Sequence, residues 1–592
     1  MNSLDFIVLI GSMLGIALYG MWKTRGRRDL NAYLKGAGNT PWYAIGLSVM
    51  ATQASAITFL STPGQGYLGG LGFVQIYFGV PLALIIIAIF FLPVFQKLNV
   101  YTAYEYLGRR FDKKTRLLGA ALFLVQRGLG AGITIYAPAI VLTSIFNWPL
   151  DLTIICTGAL VIIYTVAGGS DAVTVTQKYQ IAIIFAGMVT AAWLLITKLP
   201  AGLTFLDTLT LAGKFQKLNA VNFSTDVHER YTFWSGLLGG TFLMLSYFGT
   251  DQSQVQRYLA SSSLRENRLG LMFNAVCKIP MQFCILFLGV LMFVFYQFEP
   301  PPLFFNPASR QYLAQPSGEQ SSVAKYNSAS MDARQQPGPA EADQTLRDSE
   351  TQFNAIHVQV RQQLETWLQA SRHGDKNGAD VALAAASTAQ KQGDQIRITA
   401  GNTLAAIKPN ARGNDADYVF ITFILNYLPH GVIGLLVAAF FAAALSSKAA
   451  ELNALGSSTT IDFFRLWNPA ATDAQCVLAS KWFTAFWGAV AVTFALYARL
   501  SENLIQAVNI LGSIFYGVML GLFVVAFFVR RVGGTAIFWA ALVAQTLIFI
   551  LFHELTISYL WYPLIGCAAC VVFSLALQTL FRSHASSHTP AP

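Results

Sequence analysis

Charged residues are scarce in this sequence. Asp, Glu, Lys and Arg together make up 11% of its 592 residues, whereas an average soluble domain contains roughly 25%. Hydrophobic residues make up 54%, and they occur in runs of about 20, the length with which a helix crosses the hydrocarbon core of a bilayer. This composition argues against a soluble protein. It predicts an all-α, polytopic membrane protein whose main surroundings are the lipid bilayer.

Cysteine and histidine are also few. The six cysteines lie in or beside apolar runs, without the spacing of a metal site or a disulfide framework, and we interpret them as small core residues. The seven histidines lie in loops, at the ends of spans or in the C-terminal tail. Because a membrane enzyme needs a set of catalytic side chains within its spans, we do not expect enzymatic activity.

About thirteen apolar segments have the length of membrane spans. They are 4–22, 42–69, 72–96, 117–146, 151–167, 176–198, 231–249, 270–297, 429–456, 478–499, 502–529, 534–552 and 557–581. A basic cluster follows the first span, at Lys23, Arg25, Arg27, Arg28 and Lys35. By the positive-inside rule this loop is cytoplasmic, so the N-terminus is expected outside and the C-terminus inside. The net charge of +10 then reflects loop asymmetry, and no nucleic-acid partner is expected.

Residues 298–416 break this pattern, because they are polar and contain no spanning run. Eight predicted spans precede this insert, and an even number of crossings returns the chain to the side of the N-terminus. The insert is therefore expected outside. It begins with Glu299-Pro300-Pro301-Pro302, which ends a helix. Its stretches at about 342–371 and 378–407 favour helices that could pair as a hairpin. Two interpretations remain open: a flexible or lightly structured loop, or a lid or binding module for an unknown partner.

The ten central spans divide into two sets of five, at 42–198 and 231–529, with 1–41 before them and 530–592 after them. Because five is odd, the second set begins on the opposite side of the membrane from the first. Inverted repeats of this kind place a binding site near the midplane, between discontinuous helices. The stretches where the first helix of each set could break are Thr52-Gln53-Ala54-Ser55, Pro63-Gly64 and Tyr247-Phe248-Gly249-Thr250.

Four groups of polar residues lie inside apolar spans, where such residues are costly and commonly functional. They are Thr52, Gln53, Ser55 and Thr58; Gln126 and Arg127; Asn274 and Lys278; and Ser446, Ser447, Lys448 and Glu451. For the serines and threonines, the alternative is a hydrogen bond to a backbone carbonyl. For Arg127 and Lys278, the alternative is an internal salt bridge or a side chain that reaches toward water.

Several longer stretches occur in order along these spans. They are 51–60, 136–139, Gly168-Gly169 with Gln177 and Gln180, 247–258 and 443–462. In these stretches the sequence resembles the sodium:solute symporter family, which includes sodium–glucose, proline, monocarboxylate and sialic acid transporters. The resemblance covers roughly 1–300 and 417–530. It implies a LeuT-like five-plus-five inverted repeat with one extra N-terminal helix, Na+ as the coupling ion and a small polar solute.

The resemblance also implies a sodium site made of backbone carbonyls and two hydroxyls. By motif its residues are Ala51, Ala54, Ala443, Ser446 and Ser447. A second sodium site, found in some members, is expected to be absent because its positions hold Ala449, Ala450 and Gln177. Lys448 departs from the family pattern. Paired with Glu451 one turn on, its ammonium could replace the missing cation, or it could reach cytoplasmic water.

The resemblance leaves the solute open. In sugar-transporting relatives, a tyrosine on the sixth core helix gates the sugar from the inside and a lysine on the seventh contacts it. Tyr247 and Lys278 match these two positions. Thr58 and Tyr77, however, stand where those relatives have a glutamine and a glutamate, which argues against a simple hexose.

Relatives that carry sialic acid or monocarboxylates hold a carboxylate with hydroxyls in the stretch that matches Ser55 to Thr58. Arg127 could add a bidentate clamp on that group, and further polar candidates are Gln53, Gln75 and Asn509. We therefore expect sodium-coupled import of a sugar, sugar acid or monocarboxylate by alternating access, in the cell membrane, specifically a bacterial inner membrane. The alternative is a membrane sensor that uses residues 298–416 as its input module.

Overall fold

The structure is a computed structural model that describes residues 1–12, 41–98, 100–200, 202–258, 263–314, 339–407, 415–498 and 502–586, without the side chains of 167–180, 339–340 and 582–586. All regular elements within these ranges are helices. Eight of them are long and apolar enough to cross a membrane. The basic cluster at 23–35 and the side chain of Gln177 lie outside the described part.

The helices are numbered along the chain. Before the insert they are α1 (Ser3–Ser12), α2 (Trp42–Gln53), α3 (Ala56–Gly69), α4 (Val80–Ile86), α5 (Leu92–Leu98), α6 (Ala103–Arg110), α7 (Lys113–Phe146), α8 (Leu150–Thr197), α9 (Phe205–Lys214), α10 (Gly240–Gly249), α11 (Gln252–Tyr258) and α12 (Leu264–Phe298). The insert contains α13 (Pro307–Ala314), α14 (Pro339–Arg372) and α15 (Lys376–Ile407). After it come α16 (Ala416–Tyr427), α17 (Val432–Ser458), α18 (Arg465–Trp467), α19 (Asp473–Tyr497), α20 (Leu504–Phe528), α21 (Gly534–Glu554) and α22 (Trp561–Ser586).

Both sets of core helices begin with a broken helix. In the first set, Ala54 and the extended residue Ser55 separate α2 from α3. In the second set, Thr250 and Asp251 separate α10 from α11, at the end of the stretch where the sequence predicts a break. The other candidate, Pro63-Gly64, lies inside α3. Backbone groups at helix ends lack partners within their own helix, so each break presents polar backbone inside the bundle.

Glycines bring α12 close to α2 and α3. A Cβ atom on Gly46 would lie 3.1 Å from the carbonyl oxygen of Gly270, and one on Gly289 would lie 2.0 Å from that of Pro63. The earlier residue, Gly46, contacts the earlier part of α12, and Pro63 contacts its later part. The helix α12 therefore runs parallel to α2 and α3. Lys278, about midway between the two contacts on α12, is therefore level with the break between α2 and α3.

The spans predicted at 151–167 and 176–198 both fall within α8, so the structure differs from the prediction of two separate helices here. Glycine residues between the two predicted spans did not end the helix. The physical reason is that a glycine costs a helix only about 1 kcal/mol relative to alanine, which hydrogen bonding and packing on both sides can offset.

The insert begins where α12 ends at Phe298, directly before the proline run. The two stretches whose spacing favours helices are α14 and α15. They pack along each other as a hairpin, with a turn at Gly374, whose φ of 74° is readily adopted by glycine. Gly393 of α15 faces Phe353 and Ile356 of α14. The domain boundaries expected from the sequence stay predictions.

Candidate functional site

A cavity lies at the break between α2 and α3. Its volume is about 80 Å³, which is small beside the roughly 300–1,000 Å³ of pockets for drug-sized ligands. Its walls come from both sets of core helices. The predicted site residues that line it are Gln53, Ser55, Thr58, Tyr77, Arg127, Tyr247, Glu451 and Asn509. Residues far apart in the sequence are thus brought to one small polar cavity between the repeats.

Arg127 of α7 lies at the centre of a buried ion network. Its Nε is 3.1 Å from Oδ2 of Asp251, and one terminal nitrogen pairs with the same carboxylate and lies 3.2 Å from the hydroxyl of Tyr516. The other terminal nitrogen is 3.4 Å from Oε1 of Glu451. The guanidinium also stands over the ring of Tyr247, 5.5 Å from its centroid. In this conformation, the guanidinium of Arg127, which the sequence analysis proposed as a binding group for a solute carboxylate, is therefore already paired with the carboxylates of Asp251 and Glu451.

Lys448 points into the bundle. Its side chain is only 2% exposed, and its ammonium pairs with the carboxylate of Glu451. The same carboxylate accepts a hydrogen bond from the hydroxyl of Thr134 at 3.3 Å and contacts Arg127. Lys448 does not reach water in this conformation. Asp251, Arg127, Glu451 and Lys448 form a continuous row of alternating charges whose sum is zero.

Lys278 of α12 lies behind the cavity wall. It is 1% exposed, and its ammonium is 5.2 Å from the ring centroid of Tyr77, which lines the cavity. Within the described ranges, no carboxylate forms an ion pair with it. Asn274 and Gln282, one turn to either side, are buried and their amide atoms have no hydrogen-bond partner among the described residues. This face of α12 is therefore a polar stripe that contains one lysine.

The residues expected to bind sodium lie on α17, on α2 and at the break after α2, and α17 packs against both α2 and α3. All five are buried: Ala51, Ala54, Ala443, Ser446 and Ser447. The Ser446 hydroxyl has no hydrogen-bond partner among the residues that the structure describes. The Ser447 hydroxyl donates to the carbonyl of Ala444 at 3.2 Å, which leaves its oxygen lone pairs free to accept. An all-oxygen set at an unwound helix is the arrangement that suits Na+.

Gln75 does not line the cavity. Its amide nitrogen donates to the carbonyl of Tyr231 at 3.0 Å and its oxygen accepts from the backbone N–H of Asn222 at 2.9 Å, so it holds a loop in place. Asn509 does line the cavity, but its amide nitrogen donates to the carbonyl of Ile505 within its own helix at 2.7 Å. The other amide atoms of Asn509 stay available to a solute.

The sequence analysis missed two residues of the ion network. Asp251 stands within the stretch 247–258 quoted above, and a carboxylate next to a predicted helix break was the signal that could have found it. Tyr516 is one aromatic residue in an apolar span and carried no such signal. Its hydroxyl donates to Oδ2 of Asp251 at 2.8 Å, which ties α20 to the second break.

A helical membrane bundle with two broken helices around a central polar cavity has the architecture of a secondary transporter. The chain belongs to the sodium:solute symporter family, whose model matches residues 33–315 and 393–544. With its apolar helices, it is a multi-pass membrane protein. Its fold is similar to that of a solved structure described as a Na+-coupled sialic acid symporter in a substrate-bound outward-open state, with a TM-score of 0.70, 21% sequence identity and 98% of each chain covered.

Two human relatives are similar to half of the chain. The sodium/iodide cotransporter is 32% identical over 295 residues, which cover 49% of this chain and 45% of the relative. Sodium-coupled monocarboxylate transporter 1 is 34% identical over 292 residues, which cover 49% of this chain and 47% of the relative. The chain spans about half the length of these relatives that it matches.

Proposed function

We propose that this protein is a sodium-coupled symporter that imports a small polar organic solute by alternating access. The observation that carries the proposal is the buried Ser446 hydroxyl, which has no hydrogen-bond partner within the described residues and belongs to α17, the helix that packs against both halves of the first broken helix. A buried polar group without a partner costs about 1–3 kcal/mol. A bound Na+ satisfies that hydroxyl. Its other ligands are Ser447, Ala51, Ala54 and Ala443.

Sodium couples to the solute through the helices that it joins. Its ligands come from α17 on one side and from α2 and the break on the other, so binding favours the conformation in which these helices are in contact. The same break lines the cavity, and the solute and the ion therefore stabilise each other's sites. Tyr247, next to the second break, serves as the inner gate. Its hydroxyl accepts a hydrogen bond from Gln254 of α11 at 2.6 Å.

The charges around the cavity favour an anionic solute. Asp251 and Glu451 are balanced by Arg127 and Lys448, and Lys278 adds one positive charge that no described carboxylate neutralises. A carboxylate on the solute supplies the missing negative charge, and a buried charge needs such a partner. The cavity of about 80 Å³ suits a short monocarboxylate better than a sugar. Its polar lining comes from Gln53, Ser55, Thr58 and Asn509.

One sodium ion accompanies each solute. Lys448 provides the second positive charge from within the chain, since its ammonium already pairs with Glu451 inside the bundle. A second mobile cation would have to compete with this covalently attached one, whose effective concentration is far higher. The prediction that follows is a sodium dependence with a Hill slope near one.

Uptake into proteoliposomes tests the transport proposal directly. The full chain is reconstituted, and accumulation of radiolabelled short monocarboxylates, such as propionate or lactate, is measured with an inward Na+ gradient and with K+ in its place. We expect accumulation only with the Na+ gradient, and no competition from a hexose. A membrane sensor would accumulate nothing under either condition, and that result, over a panel of short carboxylates and halides, would falsify the proposal.

The sodium site is tested with a double variant, Ser446→Ala/Ser447→Ala. We expect the Na+ concentration for half-maximal uptake to rise at least about tenfold, which corresponds to about 1.4 kcal/mol of lost binding. Ser457→Ala is the matched control, because Ser457 is also buried on α17 and donates to the carbonyl of Ala454 at 3.1 Å. If the double variant keeps the sodium dependence of the control, the ion binds elsewhere.

A further inference from the structure

Most of the helical hairpin of the insert lies outside the family match. The match stops at residue 315 and resumes at residue 393, so it leaves out all of α14 and the first half of α15 and includes the second half of α15. It does not project away from the bundle. Its buried side chains, such as Val360, Leu364 and Ala386, belong to the same apolar cluster as the membrane helices. The hairpin is therefore docked on the transporter core.

Arg397 of α15 forms polar contacts between the hairpin and the core of the bundle. Its Nε donates to the carbonyl of Leu303 at 3.0 Å, and a terminal nitrogen donates to that of Pro302 at 2.9 Å. The guanidinium lies over the ring of Phe305, 5.5 Å from its centroid, and also interacts with the hydroxyl of Tyr67 in α3. One hairpin side chain thus connects the segment after α12 with the end of α3.

His357 of α14 makes another polar contact with the core. Its Nε2 lies 3.0 Å from the carbonyl oxygen of Tyr296, near the end of α12, and the side chain is buried. The ring of Tyr296 packs edge-on against Tyr67 and Phe305, with centroids 6.0 and 5.4 Å apart. Both helices of the hairpin therefore contact one aromatic cluster, formed by Tyr67, Tyr296 and Phe305.

The half-helix α3 is held on this same face by α16 and α20. A Cβ atom on Gly64 would lie 1.8 Å from the carbonyl oxygen of Ala416, so α16 lies directly on α3. The amide of Asn503 donates to Gln65 at 2.7 Å. Because α3 starts at the break that lines the cavity, a movement of α3 away from these contacts would change access to the cavity.

We propose that the hairpin is a clamp, which through Arg397 and His357 holds α3 closed on the insert side and limits access to the cavity from that side. Docked as observed, it stabilises the closed position of α3 by the hydrogen bonds and the aromatic cluster described above. The clamp goes beyond the transport proposal, since it concerns access to the cavity and not the identity of the ion or solute.

The test measures how fast a thiol introduced in the cavity reacts from the insert side. Thr58→Cys in the full chain is exposed to a membrane-impermeant thiol reagent in sealed vesicles, without sodium or solute, and the reaction of the chain that retains Thr58 is subtracted. Thr388→Cys, on the surface of α15, reports which vesicles present the insert to the reagent. Labelling does not depend on transport, so the clamp and the transport proposal can fail separately.

Adding Arg397→Ala to Thr58→Cys is expected to speed labelling of the cavity thiol about tenfold, because it removes the charged hydrogen bonds of Arg397. A factor of ten corresponds to about 1.4 kcal/mol. The matched control is Arg361→Ala, an exposed arginine of α14 that pairs with Glu365 on the same helix. Its labelling rate should not change. His357→Ala is expected to speed labelling of the cavity thiol in the same way. If Arg397→Ala does not fold, the labelling rate of His357→Ala tests the clamp in its place. Unchanged labelling, or an equal increase in the control, overturns the clamp.

Discussion

Replacing Lys448 by alanine removes one of the two cations that neutralise Glu451. Both side chains of the pair are at most 6% exposed, and breaking a buried pair by removing one partner costs about 3–5 kcal/mol. The uncompensated carboxylate, next to the space left by the lysine, should then attract a cation from solution. Sodium at 100 times its dissociation constant would restore about 2.7 kcal/mol, which is a large part of the loss.

We therefore expect Lys448→Ala to have a lower apparent melting temperature than the native chain without sodium, and a larger increase when sodium is added. Its uptake should also require more than one sodium ion, with a Hill slope rising from near one toward two. Lys448→Ala/Glu451→Gln is the matched control, because it removes both charges and leaves no carboxylate to attract a second ion. An unchanged sodium midpoint and a Hill slope near one in Lys448→Ala would refute the idea that Lys448 replaces a cation.

Three further predictions concern packing, pH and solute charge. Gly289→Ala should destabilise the protein by more than about 3 kcal/mol or abolish folding, because its Cβ would lie 2.0 Å from the carbonyl oxygen of Pro63; Gly213→Ala, with its nearest neighbour at 3.8 Å, is the control in a thermal unfolding assay. Burial lowers the pKa of His357, so its stabilising contribution is complete above the ordinary value of about 6.5 and is lost as pH falls. Between pH 7 and pH 5 the native chain should lose more thermal stability than His357→Asn, and equal losses would contradict this. The charged groups around His357 are Glu299, Arg361 and Arg397. Lys278→Met should reduce uptake of a monocarboxylate by a factor of about ten or more, and a loss of folding can be excluded by its chromatographic profile; undiminished uptake would show that Lys278 does not attract the anion.

Local features of the sequence predicted much of the fold. Run length predicted the long apolar helices, because a helix needs about 20 apolar residues to cross the hydrocarbon core, although 151–167 and 176–198 form one helix. The proline run at 300–302 predicted where α12 ends. The first break was predicted because Thr52-Gln53-Ala54-Ser55 places polar residues in an apolar run. The helical spacing in the insert predicted α14 and α15 within a few residues. Each of these features depends on residues that are close together in the chain.

The placement of the sodium and solute residues stays a prediction, although the structure gathers most of the solute candidates around one cavity. What the sequence could not give is which side chains pair across helices. Arg127 was predicted as a solute clamp or as part of an internal salt bridge, and its partners Asp251 and Glu451 lie 124 and 324 positions away. Gln75 was a candidate, yet its amide holds a loop.

The sequence by itself determined that this chain is a helical membrane protein with broken core helices, because hydrophobic run length, proline and helical periodicity act over a few residues. Only the tertiary structure decided that Lys448 faces Glu451 and not water, that Lys278 is level with the first break, and that the insert hairpin docks on Tyr67, Tyr296 and Phe305. The reason is physical. Burial makes each polar or charged group depend on a partner, and which partner is within reach is set by the packing of helices that are distant in the sequence.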